Sequence, residues 1–248
     1  MNRRASTPST PFDTLRLSST LFDYFSHIPY SSTTPRFRTV LFDLDGTLID
    51  SVRLILDSYH HTLATHGIPA RSDKYWLAGL GTPLRVQFRE WSDDPEQLDA
   101  MVLTYREYNF RHHDDRVSAY PGVTDMMRQL RARGVRTALV TSKNREGAWR
   151  GLRVTGLDQA FDLVIGADDV TEPKPHPEPV HRALQGLGAA PAEAVFVGDS
   201  VHDIASGRSA GIRTAAVLWG PFSRVDLDPA GPDHWLEKPA DLIPLLVG

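Results

Sequence analysis

The chain has 248 residues, of which 41% are hydrophobic, and its 27 basic residues are nearly balanced by 31 acidic ones. This length and composition suit one large folded domain, or one domain with an insert, and exclude wholesale disorder. The net charge of −4 is spread along the chain, so no basic surface for nucleic acid is indicated. Because the chain has no cysteine, disulfides, thiolate catalysis and zinc–sulfur sites are excluded.

The hydropathy pattern gives no sign of a membrane segment. No uninterrupted apolar run approaches the roughly 20 residues that a membrane-spanning helix needs. We therefore expect a soluble, cytoplasmic protein without a membrane partner. Any metal ion must be held by oxygen or imidazole ligands, since thiolates are absent.

Residues 1–35 differ in composition from the rest of the chain. They are rich in Ser, Thr and Pro, and their arginines outnumber their only two acids, Asp13 and Asp23. They lack the apolar core of a secretory signal. We expect this segment to be a disordered extension that precedes the folded domain.

A short stretch at residues 40–48, with the sequence VLFDLDGTL, combines a buried strand with two acids. Thr39 to Phe42 are predicted to form the strand, which would present Asp43 and Asp45 at its carboxyl edge. Side chains two positions apart on a strand point the same way, so the two carboxylates repel unless a cation or a shared proton relieves them. In open α/β sheets this edge is where ligands bind. An ordinary acidic turn is the alternative interpretation.

Residues 51–116 predict three helices without a strand between them. Residues 51–66 carry apolar side chains at helical spacing and end before Gly67. A second stretch, residues 75–91, is interrupted at residues 79–83, where two glycines and a proline occur. A third begins at Asp94 and continues through Tyr108. These segments predict a compact helical unit.

From Val123 onward, predicted strands and helices alternate. The strands are residues 135–140, 163–165, 194–197 and 214–217, and the helices are residues 123–133, 146–155, 179–187 and 201–210. Such alternation predicts an α/β fold, a Rossmann-like three-layer structure with a parallel sheet and helices on both faces. The strand before Asp43 would join this sheet. The expected domains are therefore a core of residues 36–50 and 117–248 and a helical insert of residues 51–116.

Polar residues follow several of these strands. Thr141 and Ser142 end one strand, Lys174 lies between prolines in a later loop, and Asp199 and Asp203 follow strand 194–197. Each has an ordinary structural interpretation, as a helix cap, a rigid loop or a turn. Their shared place at successive carboxyl ends favours a site for a phosphate and a metal ion.

These motifs together resemble the haloacid dehalogenase superfamily of phosphohydrolases. The resemblance rests on the run Asp43-Leu44-Asp45-Gly46-Thr47, on Thr141, on Lys174, and on Gly198-Asp199 followed by Asp203, and it extends from about Arg38 to the C-terminus. The helical insert resembles the first cap class of this superfamily. Residues 140–143, 216–220 and 232–235 look closest to phosphoglycolate phosphatases and their pyrophosphatase relatives.

The resemblance implies a mechanism and a Mg²⁺ cofactor. Asp43 would be the nucleophile that forms an aspartyl-phosphate, and Asp45 the general acid and then base, with a pKa raised by its neighbouring carboxylate. Asp43, the backbone carbonyl of Asp45, and Asp199 would bind the metal ion, and Asp203 would support them or complete the shell.

The resemblance also implies which groups bind substrate. The phosphoryl group would be held by Lys174, Thr141 and the N–H groups of Gly46, Thr47 and Ser142. For a distal carboxylate, Arg85 is the first candidate on the insert, followed by Arg53 and Lys74. Each of these three cations is also interpretable as a solvated surface charge. His202 is expected to be exposed at a helix start.

Phosphoglycolate is the first expected substrate, and the enzyme is expected to be a monomer or homodimer. A pyrophosphatase is the nearest alternative, followed by a phosphomutase resembling β-phosphoglucomutase. A dehalogenase is disfavoured, because Asp45 supplies an acid that alkyl halides do not need. The alternative from a different class is a catalytically inactive protein that binds a phosphate ligand on the same fold.

Overall fold

The computed structural model describes residues 36–247 together with Met1. The expectation for residues 1–35 therefore concerns a segment outside the described residues. The strands are β1 Thr39–Phe42, β2 Ile49–Asp50, β3 Ser118–Ala119, β4 Arg136–Val140, β5 Leu163–Ile165, β6 Ala194–Gly198, β7 Arg213–Val217 and β8 His234–Leu236. The α-helices are α1 Val52–Thr65, α2 Asp73–Ala78, α3 Leu84–Phe88, α4 Pro95–Arg116, α5 Val123–Ala132, α6 Arg145–Val154, α7 Glu178–Leu187, α8 Val201–Ser209, α9 Arg224–Leu227 and α10 Leu242–Val247.

Six strands form one parallel sheet in the order β5-β4-β1-β6-β7-β8. The predicted α/β sheet is thereby confirmed, and the predicted strands agree with the observed ones to within one residue at each end. Strand β8 was not predicted. It is only three residues long, so its sequence contains no clear apolar run. Two of its residues, His234 and Trp235, are half-buried.

Side chains of β1 alternate between two apolar layers. Val40 and Phe42 pack with α5, α6 and α10 on one face, whereas Leu41 packs with α7 on the other. All three side chains are fully buried. This two-sided burial is why the strand reads as a continuous apolar run and not as an alternating one.

The strand order reverses at β1. From β1 the chain builds outward through β4 and β5 on one side, and later through β6, β7 and β8 on the other. The loops after β4 and β6 therefore leave in opposite directions and open a crevice beyond the carboxyl end of β1. Asp43, the residue directly after β1, lies in this crevice.

The insert between β2 and β3 contains four helices, not the three that were predicted. The interruption at residues 79–83 divides the second predicted segment into α2 and α3. Gln87 stabilises this break, because its amide donates hydrogen bonds to the carbonyl oxygens of Gly79 and Thr82. The insert has its own core, in which Tyr59 stacks on Trp76 at 4.0 Å between ring centroids.

The two connections to the insert lie side by side. Strands β2 and β3 pair antiparallel, with Ile49 opposite Ala119, and form a two-stranded stem. Both strands are two residues long, which is too short for a sequence pattern to reveal them. Among residues 36–247, no helix combines the length and the apolar character of a membrane span.

Candidate active site

Lys174 is buried at the carboxyl edge of the sheet between two carboxylates. Its ammonium donates hydrogen bonds to Asp43 Oδ1 and Asp203 Oδ1, both at 2.7 Å, and to the carbonyl oxygen of Val140 at 3.1 Å. The Lys174 side chain is 3% exposed. These contacts bring together three predicted residues that lie up to 160 positions apart in the sequence, from Asp43 to Asp203.

Asp199 lies beside this group and has one oxygen without a partner. Its Oδ1 accepts a hydrogen bond from Thr47 Oγ1 at 2.7 Å. Its Oδ2 is buried and has no hydrogen-bond partner among the described residues. Oxygen atoms of Asp43, Asp199 and Asp203 all lie within 4.8 Å of one another.

The pKa values of this cluster reflect an excess of negative charge. Burial raises the pKa of Asp43 to about 7, against the opposing charge of Lys174. Burial and the charges of Asp203 and Asp43 raise the pKa of Asp199 well above its ordinary value. Burial lowers the pKa of Lys174, but the two carboxylates outweigh this effect and raise it overall. One ammonium does not balance three buried carboxylates.

A Mg²⁺ ion suits these residues. The donors are carboxylate oxygens, which hard cations prefer, and the orphaned Oδ2 of Asp199 is a buried acceptor that needs a positive partner. Asp203 is less available, because its Oδ1 faces Lys174 and its Oδ2 accepts from the N–H and hydroxyl of Ser200. Asp203 therefore supports the site from behind while it caps α8.

Asp45 departs from the prediction in its protonation. Its Oδ1 accepts hydrogen bonds from Ser51 Oγ at 2.5 Å and from Lys143 Nζ at 2.7 Å. Burial opposes ionisation, but the charge of Lys143 and these hydrogen bonds outweigh it and lower the pKa of Asp45. The expected raised pKa is wrong, because the nearest charged partner is an ammonium and not the Asp43 carboxylate.

The N–H groups of Gly46 and Thr47, which were predicted to bind the phosphoryl group, already have backbone partners. They donate to the carbonyl oxygens of Ile49 and Leu44 and close the turn after β1. Gly46 has a φ of +91°, and a Cβ there would overlap Asp199 Oδ2, so only glycine fits. Both residues therefore position Asp199, Gly46 by its close approach and Thr47 by its hydroxyl.

Thr141 and Ser142 end β4 as predicted and line the same cavity as Asp43. Thr141 Oγ1 accepts a hydrogen bond from the N–H of Lys143 at 3.1 Å. Ser142 Oγ is buried without a hydrogen-bond partner in the described part of the chain. This orphaned hydroxyl is a ready donor or acceptor for a bound phosphoryl group.

The cavity has a volume of about 350 Å³ and lies between the sheet edge and the helical insert. Arg85 lines it from α3 and forms an ion pair with Asp99 of α4, so this cation is already engaged. Neither Arg53 nor Lys74 belongs to the described cavity lining. Arg53 instead pairs with Asp57 and Asp73 on the surface.

Three residues that were not proposed as site residues also contribute. Lys143 pairs with Asp45. Its position directly after Thr141 and Ser142 could have identified it as a site residue from the sequence. Trp219, in the loop after β7, donates its indole N–H to the carbonyl oxygen of Thr47 at 2.8 Å. His113 of α4 is 1% exposed and lines the cavity. Trp219 belongs to residues 216–220, which the resemblance includes, but neither Trp219 nor His113 was predicted to be a site residue.

His202 is half-buried and not exposed as expected. Burial lowers its pKa. The insert causes this burial: a Cβ placed on Gly81 would lie 3.4 Å from His202 Cδ2. The loop at residues 79–83 therefore contacts the start of α8.

The family model for haloacid dehalogenase-like hydrolases matches residues 40–217, which include every acidic residue of this cluster. The chain belongs to this family. The carboxylate cluster, Lys174 and most of the parallel sheet therefore lie in the part of the chain that matches this family.

Similar proteins and solved structures carry names that imply different substrates. The chain is 42% identical to the pyrophosphatase PpaX of Bacillus cereus (strain G9842) over 211 residues, which are 85% of this chain and 97% of that protein. A solved haloacid dehalogenase-like hydrolase from Streptococcus pneumoniae is 27% identical, with a TM-score of 0.73 over 84% of this chain and 98% of that one. A predicted phosphoglycolate phosphatase from Haemophilus somnus is 25% identical, with a TM-score of 0.77 over 85% and 98%.

Proposed function

We propose that this hydrolase is a Mg²⁺-dependent phosphatase that acts on a small phosphorylated metabolite through an aspartyl-phosphate on Asp43. One observation carries the proposal: Asp43 lines the cavity, is fixed by Lys174, and has a carboxylate oxygen within 4.8 Å of one from Asp199, whose Oδ2 has no partner among the described residues. A nucleophile, a fixed cation and an open metal-binding oxygen are the groups that phosphoryl transfer requires. A pure binding protein has no need of all three.

In the first step, a carboxylate oxygen of Asp43 attacks phosphorus while the bond from phosphorus to the leaving oxygen breaks. Lys174 holds Asp43 in place, and Ser142 and Thr141 bind the non-bridging oxygens. Asp45 gives its proton to the leaving oxygen. Asp45 takes up that proton from bulk water as the substrate binds, when the phosphoryl charge draws Lys143 away from it.

In the second step, Asp45 takes a proton from water, whose oxygen attacks phosphorus. The bond from phosphorus to Asp43 then breaks, and inorganic phosphate leaves. Asp43, Asp199 and the backbone carbonyl of Asp45 would hold Mg²⁺, with Asp203 behind them. The bound ion would screen the negative charge of the nucleophile from that of the phosphate.

The helical insert, residues 51–116, is in this proposal a cap domain on a core of residues 36–50 and 117–248. The two-stranded stem β2–β3 gives it a narrow attachment on which it can move. Gly79, Gly81 and Pro83 shape the loop that faces the core, and Gly81 lies against His202. Closure would keep bulk water away during the first step.

Two substrates are the leading candidates. Phosphoglycolate is the first, supported by the motif resemblance and by Arg85, which lines the cavity where a distal carboxylate could reach it. Pyrophosphate is the second, favoured by the 42% identity to a protein named as a pyrophosphatase. Both are small cytoplasmic metabolites, and neither requires a nucleic-acid or membrane partner.

A phosphate-release screen with Mg²⁺ tests the proposal. It should include phosphoglycolate, pyrophosphate, sugar phosphates and nucleotides, each repeated with excess chelator. We expect turnover of at least one substrate and its loss in chelator. Full activity in chelator would contradict the metal assignment, and no turnover of any substrate would favour the inactive phosphate-binding protein.

A further inference from the structure

The cavity above Asp43 has an apolar wall that phosphoryl transfer does not require. The wall is contributed by the insert and is defined by six side chains: Ile55, Tyr59, Leu80, Leu84, Val102 and Tyr105. Four of them are at most 7% exposed and belong to the insert's own core, so the wall is closely packed. A charged phosphoryl group would lose hydration against such a surface and would gain no charged partner there.

The cavity lining extends along α4 well beyond the catalytic end of the cavity. Along α4 the lining residues recur every three or four positions from Asp99 to His113, which is one face of a helix. These two residues are 14 positions apart in the sequence, which corresponds to about 21 Å along the helix axis. The cavity is thus longer than a phosphoryl group with a two-carbon acid attached to it.

The six side chains of the apolar wall do not suit a second phosphate. Arg85 pairs with Asp99, and Arg106 of α4 also lines the cavity, but none of these charged groups belongs to the apolar wall. A second phosphate placed against the wall itself would lose hydration without gaining a charged partner from these six side chains. An apolar group in the same place would instead release water from both surfaces.

We infer that this site accepts phosphate monoesters whose leaving group carries an alkyl or aromatic body, which packs on the apolar wall. The inference rests on the proposed phosphatase function and adds the chemical class of the leaving group. It predicts that kcat/KM rises with the apolar length of the leaving group. Each methylene buried on the wall should contribute about fourfold.

The test uses the full chain with Mg²⁺ and a series of straight-chain alkyl phosphates from ethyl to hexyl. The leaving alcohols in this series have nearly equal pKa values, so differences report binding and not leaving-group chemistry. We expect kcat/KM to increase about fourfold per methylene until the wall is covered. A flat or falling series, with phosphoglycolate or pyrophosphate still hydrolysed, would overturn this inference alone.

A failure of the proposed function has a different signature. If no alkyl phosphate and no substrate of the phosphate-release screen is hydrolysed, the phosphatase proposal fails and this inference fails with it. The same assay therefore distinguishes the two outcomes. Phenyl and naphthyl phosphates extend it to aromatic bodies, compared with each other because their leaving groups are similarly acidic.

Val102→Thr tests the wall itself by exchanging one methyl group for a hydroxyl of similar size. We expect a loss of about tenfold in kcat/KM for hexyl phosphate and a shallower dependence on chain length. The matched control is Val86→Thr on α3, where the side chain is 50% exposed and lies outside the cavity lining. Equal chain-length dependence in the two variants would overturn the inference.

A second variant covers the possibility that Val102→Thr disturbs packing. Leu84→Ala removes apolar surface from the wall at a half-buried position and introduces no polar group. It should also flatten the chain-length dependence, and thermal unfolding of each variant verifies that it is folded. Retention of the wild-type dependence by folded Leu84→Ala would count against the apolar wall.

Discussion

Charged side chains are buried at the carboxyl edge of the sheet but exposed on the helical insert. At the edge, Lys174 is 3% exposed between Asp43 and Asp203. On the insert, Arg85 and Asp99 pair with side chains that are 41% and 69% exposed. The surface that the insert presents to the cavity is instead largely apolar.

This difference separates two kinds of electrostatic contribution. An exposed ion pair is worth about 0–1 kcal/mol, because water screens it and holding two long side chains costs entropy. A buried pair is far more sensitive, since removal of one partner leaves the other charge without solvation. The sheet edge therefore fixes one arrangement of charges for chemistry, while the insert can vary its surface without unfolding the core.

The largest effect is expected for Asp43→Asn. The amide is a poor nucleophile and cannot form the aspartyl-phosphate, so kcat should fall by about 10⁴-fold or more. Phosphate release under saturating substrate and Mg²⁺ is the measurement. The exposed Asp50 provides the matched control, since Asp50→Asn should retain nearly full activity. Mg²⁺-dependent turnover in Asp43→Asn would contradict the mechanism.

The next effect is expected for Lys174→Met, which combines loss of activity with loss of stability. Without the ammonium, Asp43 and Asp203 face each other unpaired, and the free energy of unfolding should fall by about 3–5 kcal/mol. Urea unfolding in chelator measures this change. Lys238→Met, at an exposed position, should stay within about 0.5 kcal/mol of wild type. Similar midpoints for both variants would show that the buried pair is not a stabilising centre.

A smaller effect is expected for Arg85→Ala on the insert. If Arg85 leaves Asp99 to bind a distal carboxylate, KM for phosphoglycolate should rise about tenfold, with kcat nearly unchanged. Steady-state kinetics separates the two constants. Arg89→Ala removes the same charge at an exposed position outside the cavity lining and should leave both unchanged. An unaltered KM in Arg85→Ala would remove this residue from the substrate site.

The smallest effect concerns His113, which joins the two regions. Burial lowers its pKa below the ordinary 6.5, and Lys143 adds to this effect while Asp114 and Asp45 oppose it. As pH falls through 6.5, the unfolded chain takes up the proton first, so His113 contributes stability above that pH and loses it below. His113→Gln should therefore lose less stability than wild type between pH 7 and pH 5, as measured by urea unfolding. Parallel curves for the two proteins would contradict this prediction.

The parallel sheet and most of the residues at its carboxyl edge were predictable from the amino-acid sequence. Residues 40–42 are all apolar because both faces of β1 are covered. Such a run can be recognised from these neighbouring residues alone. The carboxyl ends of parallel strands lie at one edge of the sheet. The predicted strands therefore also placed Asp43, Thr141 and Asp199 at the same edge. The short elements β2, β3 and β8 escaped prediction because two or three residues carry no period.

The partner of each charged side chain depends on three-dimensional packing and was not predictable from the sequence. Asp45 is held ionised by Lys143, 98 positions away in the sequence, and this contact reversed the expected direction of its pKa. The amides of Gly46 and Thr47 close a turn, because backbone donors take the nearest acceptors. The apolar wall was also invisible in the sequence, since the same leucines and tyrosines form the insert's core and line its cavity. Periodicity shows that a side chain is buried, but three-dimensional packing decides what it is buried against.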